Sequence, residues 1–344
     1  MFSTIIFSAI FLGLLLISAV LWGLFLQIGL RWAKAQNITG RRIALVTSII
    51  IVLNLALSFF DFIVSGAFER QYVVLQVAQI VVSFVVPYLL IMFVFKVRAL
   101  RALQAWLPTI AAPILTVAFS ILVLRSWVYE SYFVPTNAMA PTLVGEHWKG
   151  LCPQCGLTSY CTVKPPAHPA DRYSKPQLPR MICDNFHISD ASNIEQKPFE
   201  RDHFLVAKFL PPRRWDMIVF RYPEQPTMIY VSRLVGFPGE VIEIKDGAVW
   251  ADGKPLALPD SMREIKYSDK LPELDRTLWG SRERPAQLDK DEYFVLGDFT
   301  TQSSDSRLWE LGDHQHHPFA VPKSHIRGVV THTYLPLNRL RIHR

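Results

Sequence analysis

The chain has 344 residues, half of them hydrophobic, with 36 Lys and Arg against 29 Asp and Glu and a net charge of +7. Its positive mean hydropathy, +0.21, excludes an ordinary soluble protein of this size. The basic excess does not point to nucleic acid. Much of it lies before residue 129, where nine cations stand against only Asp61 and Glu69 among long apolar runs, and there positive charge sets membrane topology.

A hydrocarbon core about 30 Å thick needs about 20 apolar residues in helical form. Four segments meet that length: about 5–30, 43–64, 73–94 and 107–124. The first has no basic leader and is too long for the apolar region of an export signal, so it reads as an uncleaved anchor. Pro87 and Pro113 are expected to kink their spans. Asn54 and Asp61 sit in or near a span, Asp61 near its outer end.

The loops set the orientation. The first carries Arg31, Lys34, Arg41 and Arg42, and the third Lys96, Arg98 and Arg101, whereas the middle loop (Asp61, Glu69, Arg70) is nearly neutral. Basic loops stay in the cytoplasm. Both termini, and everything after Val128, are therefore expected outside it.

The exported part, 129–344, begins with an aromatic stretch, Ser126 to Val134, suited to the membrane interface. Short apolar runs then read as strands: Phe204 to Phe209, Met217 to Phe220, Ile229 to Leu234, Val241 to Ile244, Ala248 to Trp250, Glu292 to Leu296 and Arg327 to Tyr334. Asp246-Gly247 and Asp252-Gly253 are hairpin turns by their chemistry. The expected fold is a multi-pass α-helical membrane region, 1–128, followed by an all-β domain. Two polar, Pro-rich stretches, about 146–200 and 258–288, read as less regular insertions.

Three motifs carry the chemistry: Pro135-Thr136-Asn137-Ala138-Met139-Ala140-Pro141-Thr142-Leu143; Tyr230-Val231-Ser232-Arg233 through Gly236-Phe237-Pro238-Gly239; and Leu296-Gly297-Asp298 through Ser303-Ser304-Asp305-Ser306-Arg307. In this order they resemble bacterial type I signal peptidase, a membrane-anchored endopeptidase that uses a serine nucleophile and a lysine base. The resemblance implies a signal-peptidase-type extracytoplasmic β domain. It implies that Thr136, Asn137, Ala138, Met139 and Pro141 form the oxyanion hole and groove. It also implies that Ser303 hydrogen-bonds the lysine, and that Asp305 and Arg307 pair to support the site.

The chain departs from that family where the chemistry is done. Ala138 stands at the nucleophile position and Ser232 at the base position; Asn137 replaces a glycine, and Phe299-Thr300 replaces Asn-Arg. An alanine side chain has no lone pair with which to attack, and a serine hydroxyl is a very poor base near neutral pH. The expectation is a catalytically inactive relative, with no catalytic cofactor, that binds signal peptides or preproteins or partners with an active paralogue. One alternative is an endopeptidase with a relocated nucleophile, with Thr136 or Ser232 as candidates; Lys149 and Lys208 lie nearby in sequence but at no family position. The other is a structural membrane protein that acts through its Cys-containing insertion. Membrane lipid is an expected partner and nucleic acid is not.

That insertion holds Cys152-Pro-Gln-Cys155 and Cys183-Asp-Asn-Phe-His187. These donors at these spacings suit a structural zinc. Cys161 is an alternative fourth ligand. Disulfides are the competing reading for an exported domain with four cysteines, and free thiols the third. His314, His316 and His317 also look metal-like, although a polar Pro-flanked loop more often leaves histidines solvated.

Overall fold

The structure is a computed structural model that describes residues 2–64, 72–162, 180–191, 194–271, 276–313 and 315–344. Glu69, Arg70, His314 and the side chain of Asp61 lie outside the described residues. The chain divides into two compact units, Met1–Arg125 and Ser126–Arg344.

The first unit is helical: α1 (Phe2–Trp32), α2 (Gly40–Val64), α3 (Tyr72–Phe95), α4 (Ala99–Trp106) and α5 (Ala111–Phe119). Three helical stretches among the described residues are long and apolar enough to cross a membrane: Leu12–Trp32, Gly40–Phe60 and Ala99–Val128. The apolar part of α3 among them, Gln79–Phe95, is shorter. α3 runs through Pro87 as one helix. The last expected span starts earlier than its apolar run and is not a uniform helix. It passes from α4 through a 3-10 turn, Leu107–Ile110, into α5 and then π-helical turns, Ser120–Val128. Pro108 and Pro113 supply no N–H to the helical ladder there, which accounts for the break in regularity.

Leu26, Leu30, Val46, Ile50, Ile91, Phe95, Ala102 and Ala105 bury a shared core in this unit. Other apolar side chains face outward; Leu16 is 67% and Phe93 70% exposed. Helices apolar on both faces are suited to lipid. Asn54 is satisfied within the unit, donating to the Ile50 carbonyl at 3.0 Å and accepting from Ser83 of α3. α1 and α4 approach closely at Gly29, where a Cβ would lie 2.0 Å from the Ala105 carbonyl oxygen.

The second unit is β. In chain order its strands are β1 (Tyr129–Phe133), β2 (His147–Leu151), β3 (Thr158–Thr162), β4 (Arg180–Cys183), β5 (Ile188–Asp190), β6 (Glu195–Phe199), β7 (His203–Ala207), β8 (Met217–Tyr222) and β9 (Gln225–Gly236). They continue with β10 (Val241–Lys245), β11 (Ala248–Ala251), β12 (Lys254–Pro255), β13 (Ala286–Gln287), β14 (Glu292–Leu296), β15 (Val321–Pro322), β16 (Ile326–Leu335) and β17 (Arg341–Ile342). The main sheet runs β1-β7-β16-β8-β9-β14-β15, with β17 added on β16. A smaller sheet runs β12-β11-β10-β13. Alternating buried residues of the central strands, such as Ile218, Phe220, Leu234 and Val295, form the core beneath the main sheet. Both Asp-Gly turns have positive φ at each central residue (Asp246 56°, Gly247 81°; Asp252 50°, Gly253 73°), the conformation a two-residue hairpin turn of this type requires.

The two stretches read as irregular are better organised than expected. Residues 147–199 hold a five-stranded sheet, β5-β4-β3-β2-β6. Residues 258–288 supply Met262, Ile265, Tyr267, Ala286 and Leu288 to the core under the small sheet.

Replacing Gly29 with valine is expected to force α1 and α4 apart, at a cost of about 1–3 kcal/mol as for other overpacked contacts. Thermal unfolding of the detergent-solubilised chain checks this. An unchanged midpoint would show that the helices do not meet at Gly29.

Candidate functional site

The three motifs place their residues on a loop, a strand and a turn. Residues 135–145 form the loop between β1 and β2, Ser232 lies on β9, and the turn leaves β14 at Gly297. β9 and β14 pair Arg233 with Leu296, and one step along that antiparallel register sets Ser232 beside Gly297 on the same face. A Cβ on Gly297 would lie 1.9 Å from Ser303 Oγ and 2.8 Å from the Ala138 carbonyl oxygen. That carbonyl accepts the Phe299 N–H at 3.0 Å. Positions 138 and 303 therefore meet at one glycine, whose missing side chain leaves room for Ser303, and position 232 lies on the neighbouring strand.

Ser303 is 3% exposed, and its Oγ is buried with no hydrogen-bond partner among the described residues. Ser232 is equally buried. Lys208 forms an ion pair with Glu130 at 2.7 Å, and Lys149 lies over the Phe199 ring. Among the described residues the Ala138 N–H has no acceptor, so it remains a donor for a bound carbonyl.

Buried guanidinium–carboxylate pairs fix this geometry. Arg233 grips Asp298 through two bonds of 2.9 Å. Arg233 Nη1 donates to the Trp215 carbonyl, and the Thr142 hydroxyl donates to Asp298, tying the loop to the turn. Trp215 holds φ at 69°, a costly conformation for a bulky residue. Its N–H reaches the Leu234 carbonyl at 2.8 Å. On the other side of Gly297, Arg307 grips Asp305 at 2.8 and 2.7 Å, both side chains fully buried. Asp305 also accepts the Gly297 N–H at 3.0 Å. Burial, followed by the Asp298 charge, raises the Tyr267 hydroxyl well above its ordinary pKa, so it stays neutral.

A third pair lies outside the motifs. Arg339 binds Asp202 at 2.7 and 3.0 Å and donates to the Pro141 carbonyl; Asp202 also accepts the Val144 N–H. The partners are 137 residues apart, so no local spacing signals them. Asn137 was expected in the groove. Its carbonyl oxygen instead accepts the Gly145 N–H at 2.8 Å and its amide donates to Glu146, so it braces the loop. Met139 packs into the core with Val134, Leu143 and Phe204.

In the insertion, the ligand atoms of Cys152, Cys155, Cys183 and His187 all lie within 4.8 Å of one another. Cys161 stands outside that group, its Sγ directed to the Thr162 carbonyl. All four cysteines are unbridged.

His316 and His317 are held by carboxylates. Glu292 spends its oxygens on the His317 N–H, the His317 ring and the Asp289 N–H. His316 donates from Nδ1 to Asp313 at 2.8 Å and from Nε2 to Asp291 at 3.1 Å. Only the imidazolium carries both protons. Burial alone would lower its pKa, but the bonds to Asp291 and Asp313, with their charges, raise it.

The family model described as signal peptidase, peptidase S26, matches residues 180–335. Signal peptidase I of Leptolyngbya laminosa is 32% identical over 150 residues, which are 40% of this chain and 63% of that protein. Signal peptidase I P of Bacillus subtilis subsp. natto is 30% identical over 159 residues, 45% of this chain and 79% of that protein. The crystal structure of a signal peptidase I from Enterococcus faecalis V583 matches 36% of this chain and 98% of that chain, at 26% identity and a TM-score of 0.26. The chain belongs to the signal peptidase I family. It spans 63% of the L. laminosa protein and 60% of its relatives in Pseudomonas fluorescens and Pseudomonas aeruginosa.

Two variants separate packing from hydrogen bonding at the site. Gly297→Ala is expected to cost about 1–3 kcal/mol, because the new methyl meets the Ser303 Cβ and a backbone oxygen that cannot rotate away. Ser303→Ala is expected to be neutral or stabilising, since it removes a buried hydroxyl that bonds to nothing. Chemical denaturation of both variants measures this, and a destabilised Ser303→Ala would mean that its Oγ has a partner.

A pH series tests His316. Because folding raises its pKa, its contribution is fully present below the unfolded value, about 6.5, and is lost as pH rises through the folded value. Asp313 is lowered; burial opposes that shift and the His316 bond drives it, so its share is lost as pH falls through its folded value. The gap in melting temperature between the native chain and His316→Asn should be widest near pH 5–6 and close on the alkaline side. A gap that widens above pH 8 would contradict the pairing.

Proposed function

We propose that this chain is a membrane protein whose signal-peptidase-type domain receives the extended signal region of a preprotein and does not cut it by serine–lysine chemistry. The observation that carries the reading is the Ser303 hydroxyl, buried without a partner where the resemblance puts the lysine amine. Around it the supporting pairs are present, while the attacking oxygen and the amine are replaced by Ala138 and Ser232.

Binding needs neither reactive group. An extended peptide gains affinity through main-chain hydrogen bonds and through small pockets for alternate side chains. The free Ala138 N–H is one such donor. The basic loops favour a cell-membrane orientation with residues beyond 128 on the extracytoplasmic side. There the domain meets signal peptides as they emerge, beside an active paralogue that cuts them.

Incubating the detergent-solubilised chain with a labelled preprotein tests the reading. Crosslinks to the 136–142 loop without cleavage are expected. Ala138→Ser together with Ser232→Lys is expected to gain slow cleavage, and neither single change to do so. Cleavage by the unaltered chain, lost in Thr136→Ala or Ser232→Ala, would overturn the proposal in favour of a relocated nucleophile.

A further inference from the structure

The five-stranded insertion sheet has a polar knot where two neighbouring hairpin turns meet. The first turn follows β2 and carries Cys152 and Cys155; the second follows β4 and carries Cys183 and His187. β3 and β4 pair Ser159 with Cys183, which brings the turns side by side. Each turn is tightly closed by its own backbone. Gly156 N–H donates to the Cys152 carbonyl and Cys152 N–H to Leu157 in the first, and Phe186 N–H to the Cys183 carbonyl in the second. Gly156 and Phe186 hold positive φ, 72° and 59°, to complete the bends.

From this arrangement we infer that Cys152, Cys155, Cys183 and His187 bind one zinc ion in a closed tetrahedral site. Thiolates about 2.3 Å from a tetrahedral zinc lie about 3.8 Å apart. Cys155 Sγ and Cys183 Sγ are 3.7 Å apart, and Cys152 Sγ is 3.8 Å from His187 Nδ1. The sulfurs are well beyond disulfide length, about 2.05 Å. Three sulfurs and one imidazole fill a tetrahedron and leave no position for water, so the ion is structural. The thiols bind as thiolates and release their protons to solvent on loading.

The ion's consequence reaches the peptide site. Phe186, within the second turn, packs against the cluster of Ala140, Val144, Tyr160, Ile182 and Phe299. Ala140 lies two residues from Ala138, and Phe299 lies two residues from Gly297. Fixing the turns therefore holds the insertion against the loop and the turn that meet at the site. The zinc assignment itself does not depend on what that site binds.

The test uses the full-length chain purified in detergent without chelator. About one zinc per chain is expected by elemental analysis. Cobalt replacing it should give thiolate-to-metal charge-transfer bands and strong tetrahedral d–d bands in the visible. Cys161→Ser should retain the metal and the spectrum. Cys155→Ser and His187→Asn should weaken zinc binding by at least about 10- to 100-fold, the loss seen even for outer-shell partners. Should those variants fail to fold, the native chain still decides: chelation should lower its melting temperature, and added zinc should restore it. A metal-free chain two hydrogens lighter, with Cys155 and Cys183 bridged, would overturn the proposal. So would unchanged zinc content in a folded Cys155→Ser chain.

Discussion

Three buried ion pairs set the shape of the site. Arg233–Asp298 and Arg307–Asp305 flank Gly297, and Arg339–Asp202 clamps the far end of the 135–145 loop. Such pairs gain little stability over well-packed apolar residues, but deleting one partner strands a charge in the interior and costs about 3–5 kcal/mol. Each guanidinium or carboxylate here also bonds backbone or side-chain groups of the loop and turn. The fold therefore cannot discard these residues singly, and so long as they stay, the loop, strand and turn keep their meeting point.

The catalytic positions of the family carry no such penalty. A lysine that serves as a base must be desolvated and neutral, which opposes its ordinary protonation. Serine at position 232 removes that cost, and alanine at 138 breaks no bond that the fold uses, because the loop is held there by its backbone carbonyl. Alanine at 138 and serine at 232 are thus compatible with an intact frame in a way that loss of Arg307 or Asp298 is not.

Much of the β unit was legible from residues. Short apolar runs located β7 to β11, β14 and β16 to within a few residues, and Asp-Gly chemistry fixed two turns. Motif order pointed to positions 138 and 303, which meet at Gly297. The 147–199 sheet was not legible, because its strands are short, three to five residues each, and interrupted by polar residues and proline that also describe loops. The bracing bonds of Asn137 were not legible because an amide beside a nucleophile position suits an oxyanion hole and a loop brace equally well. Only the position of Gly145 decides between them. Arg339–Asp202 was invisible for a simpler cause, its separation along the chain.

The insertion explains the departure at Phe299 that motif comparison could only register. A polar asparagine suits a turn open to solvent or substrate. Here the insertion sheet contributes Tyr160 and Ile182 to a dry cluster around residue 299, which is fully buried. An asparagine buried there would need partners for its amide, at a cost of about 1–3 kcal/mol if unpaired, whereas a phenylalanine ring gains from the burial. The sequence change in the third motif and the sheet between residues 147 and 199 are thus two halves of one packing solution. The site and the insertion share that ring: the cluster around it includes Ala140 and Val144 of the loop carrying Ala138 and Phe186 of the cysteine-bearing turns.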